Sequence, residues 1–127
     1  MTCKMYEIID FPSFFEKVKS QPLSFKTSYR LTLLTTEIEK HINFYQENFR
    51  NLLLTYGQKD ENGELVRTDD GQGIKLIEDK ISECNTKIVE LRELDVELPD
   101  IKFDIEEFAN VELAPIEVYT IKPFIKD

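Results

Sequence analysis

The side chains in this 127-residue chain that could do chemistry are few and scattered. His41 is the one histidine, and Glu37 sits one helical turn before it, so the two could act as an acid–base couple or as two metal ligands. A zinc-type site needs further ligands, and no second histidine or cysteine cluster supplies them. The pair therefore reads as a helix histidine beside a carboxylate. Asp60, Asn62 and Glu64 alternate as calcium ligands do at the start of an EF-hand loop. That loop would place Leu65 where a glycine is required and Gly71 where a bidentate glutamate is required, so Asn62-Gly63 reads as a turn. Cys3 and Cys84 are too few and too distant for a disulfide framework, and no Cys-x-x-Cys pair could hold a metal.

Nucleophilic and phosphate-handling signatures are missing as well. No serine lies in a Gly-x-Ser-x-Gly elbow, no glycine-rich loop precedes Lys-Ser or Lys-Thr, and neither cysteine has a catalytic histidine beside a basic neighbour. The four glycines all fall between positions 57 and 73, which leaves few places for a backbone to approach a cofactor. A non-enzymatic protein with no cofactor, metal or small-molecule substrate is expected. Twenty-five acidic against sixteen basic residues give a net charge of -9, which opposes direct nucleic-acid binding because that affinity comes from Lys and Arg neutralising phosphates. No run approaches the roughly 18 apolar residues of a membrane span, and Met1 to Asp10 lack the basic and apolar regions of a secretory leader. An intracellular, reducing setting is expected.

Positioning elements are easier to read than sites. Ile38, Ile42, Tyr45, Phe49, Leu52 and Tyr56 follow a four-three spacing that puts all six on one helical face. The stripe extends back through Leu34, Leu31 and Phe25 to Ser24, a good N-cap, and ends before Gly57, a good C-cap residue, which predicts a long helix over 24–56. At 1.5 Å per residue that helix would be about 50 Å long. Ile77, Ile81, Cys84, Ile88 and Leu91 repeat the spacing and predict a second helix over 77–94, stopped before Pro99. The linker 57–76 carries turn chemistry around short apolar pieces, reading as a β-hairpin-like tip over 63–76 with Gly71 and Gly73 at positive φ.

Pro12 should open one or two helical turns, Ile101, Phe103 and Ile105 alternate like a strand, and Pro115 to Ile121 form a short helix candidate. The fold class expected is mainly helical α+β: one domain over 1–127, built as an antiparallel helical hairpin with a small β-hairpin at the tip. Residues 1–23 and an acidic segment 95–127 should pack alongside, the latter on the first helix where it outruns the second by about ten residues.

Two surfaces stand out for partner binding. Residues 93 to 112 carry eight acids against Lys102 alone, a local net of -7. Asp95, Glu97, Glu106 and Glu107 there could dock a basic protein, or block its nucleic-acid site by imitating phosphate spacing. Among nine Phe and five Tyr, Phe25, Tyr29, Tyr45, Phe49 and Tyr56 fall mostly at core spacing, while Phe25 and Tyr29, with Leu31, are placed to anchor a partner.

Tyr56-Gly57-Gln58-Lys59-Asp60-Glu61-Asn62-Gly63 resembles the end of the long helix in a family of small tailed-bacteriophage proteins of unassigned function. Pro22-Leu23-Ser24-Phe25-Lys26 with Tyr29 and Leu31, and Pro123-Phe124-Ile125, are similar to further segments of that family. The resemblance implies a phage-encoded protein in the host cytoplasm or virion and carries over no catalytic residue. A structural or assembly role through an apolar helical face is expected, by self-association or with another protein. The alternative is an acidic inhibitor of a basic site.

Overall fold

In the computed structural model, which describes residues 1 to 127, the chain is mainly helical with one two-stranded antiparallel sheet, the α+β class expected. In order, the elements are β1 (Thr2–Lys4), α1 (Met5–Ile8), α2 (Phe11–Val18), α3 (Phe25–Tyr56), α4 (Ile81–Arg92), β2 (Asp95–Glu97) and α5 (Pro115–Ile121). Short 3-10 turns occupy Glu78–Lys80, Ile105–Phe108 and Lys122–Phe124. Contacts divide the chain into two compact units, Met1–Asn43 with Asp95–Asp127, and Phe44–Leu94, with α3 contributing to both.

The first unit holds most of the core. Ser24 caps α3 by accepting the Thr27 N–H at 3.1 Å, and Leu31, Leu34, Ile38 and Ile42 bury the face that the spacing predicts. Pro12 lies in the first turn of α2, where its missing N–H costs nothing, and Phe11, Phe14 and Val18 turn inward from that helix. Phe11 meets Phe14 at 5.5 Å and Phe124 at 5.3 Å between ring centroids, and Phe103 meets Phe108 at 5.5 Å, all in tilted or edge-on geometry. Pro115 opens α5 as expected. The N-terminal strand closes on β2 with Cys3 opposite Val96, both buried, and with Lys4 paired to Asp95 at 2.7 Å.

Two expectations change here. The alternation Ile101, Phe103, Ile105 does not build a strand. Only Phe103 pairs, in a parallel bridge to Ile125, and a 3-10 turn begins at Ile105. Glu107 reaches back to accept the Asp104 N–H at 2.8 Å, which stabilises that turn over an extended chain. Phe25 and Tyr29 are not core residues: they are 96% and 67% exposed, one turn apart at the start of α3.

The second unit is the helical hairpin. The C-terminal part of α3 supplies Tyr45, Phe49, Leu52 and Tyr56, all only half-buried, while Cys84 and Leu91 of α4 are buried. Tyr45 and Phe49 stack at 5.8 Å. The second helix is shorter than predicted, because Ile77 precedes a 3-10 turn and Arg92 is the last helical residue. Ile77 and Ile81, expected in the seam, are exposed.

The tip is not a simple hairpin. Three short segments pair mutually, with antiparallel bridges Gly57–Leu76, Lys59–Leu65 and Arg67–Ile74. The Gln58 N–H donates to the Lys75 carbonyl at 2.8 Å, Lys75 N–H to Val66 at 2.8 Å, and Val66 N–H to Gln58 at 2.9 Å. This closed ring of three hydrogen bonds satisfies backbone groups that a lone hairpin would leave on its edges. Its reversals use Gly63 at φ 78° and Gly71 at φ 72°; Gly73, predicted to reverse the chain, keeps an ordinary φ. Gly57 serves close approach and not a left-handed cap. A Cβ there would sit 2.4 Å from the Leu53 carbonyl oxygen and 2.7 Å from Leu65 Cδ2.

Candidate interaction surface

Of the four acidic residues predicted to bind a partner, Asp95 and Glu97 lie on β2 and Glu106 and Glu107 in the 105–108 turn, and three of them bond within the chain. Asp95 is held by Lys4, and Glu97 accepts a hydrogen bond from Thr2 across the sheet. Glu107 is the most engaged. Its Oε1 accepts from Thr27 Oγ1 at 2.6 Å and lies 3.5 Å from Arg30 Nη1, while the same Thr27 is tied to the Ser24 cap. Burial pushes the Glu107 carboxyl up, but the Thr27 and Asp104 hydrogen bonds and the Arg30 charge outweigh it and hold the group below the usual carboxylate range. Arg30 also lies 4.8 Å from the centre of the Phe103 ring and donates to the Lys102 carbonyl. Lys126 and Asp104 face each other at 3.7 Å in the same cleft. The charges there answer one another, so the cleft ties the start of α3 to the 105–108 turn.

Leu31 is fully buried in the first unit, which removes it from any outward-facing surface. Phe25 and Tyr29 remain available, and Leu33, one turn further on, is also exposed, so the three form a short apolar stripe. Glu106 is exposed. The predicted overhang of α3 is covered on its inner face, where Leu31, Leu34 and Ile38 pack into the first unit, while Phe25, Tyr29 and Leu33 on α3 and Ile116, Val118 and Tyr119 on α5 stay exposed in that unit.

A further uncovered apolar surface, shaped as a groove, is on the hairpin. Within the second unit, Phe44, Leu52 and Tyr56 of α3 and Leu91 and Leu94 flank a groove of about 470 Å³. Phe44 is 51% and Leu94 41% exposed. Asn48, Asn51 and Thr55 edge the groove on the α3 side, with Lys87 and Glu90 on the α4 side. Sequence periodicity misses Phe44 because it falls outside the four-three register of the core stripe. The signal that could have found it is a large aromatic on the face where a solvated helix carries polar residues. Leu33, Leu54 and Val89 are exposed for the same reason.

Reactive chemistry finds little footing. His41 Nε2 lies 3.2 Å from the Glu97 carbonyl oxygen, and Glu37 pairs with Lys40 at 2.8 Å, so the two do not form the couple their spacing allows. Cys3 and Cys84 are buried, and burial pushes both thiols above their ordinary value, away from the reactive thiolate. Asp60 spends its Oδ1 on the Asn62 and Glu64 N–H groups of its own turn. No helix is long and apolar enough to cross a membrane. What the arrangement offers is contact area: aromatic and aliphatic side chains held on rigid helices. No protein-family model, curated protein or solved structure matches the chain.

Proposed function

We propose that this chain is a non-enzymatic structural or assembly protein that works by protein–protein contact, self-association foremost, through apolar surface presented on its helices. The observation that carries the reading is the incomplete cover of the hairpin, where Phe44 and Leu94 are 51% and 41% exposed beside half-buried Leu52 and Tyr56. A hairpin two helices wide has no opposing layer, and another chain is the simplest source of one. The phage resemblance at Tyr56 to Gly63, Pro22 to Leu31 and Pro123 to Ile125 supports a place in a phage assembly, in the host cytoplasm or the virion.

The acidic-inhibitor reading is weaker. Glu107 is held by Thr27 and Arg30, and Asp95 and Glu97, exposed on β2, already pair with Lys4 and Thr2, which leaves Glu106 as the exposed member of the predicted set that makes no such side-chain bond. Salt separates the two roles. Light scattering across a salt series should show association that persists at high ionic strength, whereas docking on a basic target would weaken steeply and would respond to charge reversal at Glu106. A strict monomer in light scattering, together with no protein captured in a pull-down, contradicts the proposal.

A further inference from the structure

The groove edged by Phe44 and Leu94 has its own chemistry, and that chemistry selects an occupant. We infer that it is filled by the same groove of a second copy, hairpin against hairpin about a two-fold axis; this rests on the self-association reading above and narrows it to one face.

Charge carries the choice of a second copy. A basic partner would want an acidic rim and an acidic partner a basic one, but this rim is neither, although the chain carries -9 overall. Its α3 side is neutral, with Asn48, Asn51 and Thr55, and its α4 side carries one charge of each sign, Lys87 and Glu90, 3.7 Å apart. A two-fold axis can set Lys87 of each copy against Glu90 of the other. It can also set amide against amide, each able to donate and accept. A rim that complements itself suits an isologous contact better than a partner of either sign.

The groove also supplies an apolar centre of the kind such an interface needs, with Phe44 as its aromatic anchor.

The test uses the full chain. Self-association is measured by light scattering for the unaltered protein, Phe44→Glu and Leu94→Glu, with circular dichroism to verify helix content. Both residues are exposed in the single chain, so neither change should unfold it. Each variant should weaken dimerisation by about tenfold or more. Independently, Asn51→Cys should cross-link into dimers under mild oxidation while Gln46→Cys, outside the groove, should not; both native thiols are buried. A dimer that forms undiminished in both charged variants, or that cross-links at Gln46→Cys and not at Asn51→Cys, overturns the groove assignment and leaves self-association standing. An unaltered chain that stays monomeric at every concentration overturns both.

Discussion

Replacing Gly57 by alanine should destabilise the hairpin unit, although the same change usually helps. Where a glycine has an ordinary φ, alanine stabilises by about 0.4–1 kcal/mol by narrowing the unfolded ensemble, and Gly57 has no positive φ to forbid it. Space decides the sign. The new methyl would lie 2.4 Å from the Leu53 carbonyl oxygen, 2.7 Å from Leu65 Cδ2 and 3.0 Å from Ile74 Cγ2. The leucine and isoleucine can shift, but the carbonyl belongs to the last turn of α3 and accepts the Gly57 N–H at 2.8 Å. Overpacking against such a neighbour costs about 1–3 kcal/mol, so the net loss should be about 1–2 kcal/mol. The damage should concentrate where α3 enters the tip. In hydrogen exchange, the amides of Gln58, Val66 and Lys75, which close the three-bond ring, should lose protection more than amides of the first unit. Equal or higher stability in urea, with those amides unchanged, would refute the close approach at Gly57 and the closed tip built on it.

Arg30→Ala should cost about 2 kcal/mol in urea denaturation, since it removes the Phe103 ring contact and the charge-assisted bonds to Lys102 and Glu107. Arg30→Lys should recover only part of this, because an ammonium lacks the planar fork. Ser24→Ala should cost about 1 kcal/mol by uncapping α3, visible as faster exchange at the Thr27 amide. Glu107 should contribute to acid sensitivity. Its carboxyl titrates lower in the folded chain than in the unfolded one, so its stabilisation is complete above the ordinary glutamate value near ~4.3 and is lost as pH falls through the lower folded value. Glu107→Gln should flatten that part of the stability–pH curve, and an unchanged acid limb would contradict the assignment.

Much of the scaffold was readable because helices announce themselves locally. Ser24, the four-three stripe and the change of texture at Gly57 bound α3 within a residue, and Pro12 and Pro115 mark two short helices correctly. Pairings between distant segments leave no such trace. Thr2 and Glu97 are paired although 95 positions apart, and Phe103 finds Ile125 only because the chain's last residues return beside it. The tip shows the same limit: Asn62-Gly63 and Gly71 predict two reversals, but only tertiary structure tells that three segments close into a ring.

Exposure was the least legible property. Periodicity says which residues share a face and not what lies opposite. Leu31 and Phe25 belong to one apparent stripe, yet the first is sealed and the second almost fully exposed. Of the seven residues predicted to meet a partner, four make contacts within the fold: Leu31 by burial and Asp95, Glu97 and Glu107 by pairing. The large apolar residues outside the register, Leu33, Phe44 and Leu54, point better to the surfaces left uncovered.

The central claim, that another chain covers the hairpin's open side, is tested most directly by radical footprinting read by mass spectrometry over a range of protein concentrations. Phe44 and Leu94 should become protected as concentration rises while Glu106-bearing segments label equally throughout. Unchanged labelling of Phe44 and Leu94 from dilute to concentrated protein would contradict it.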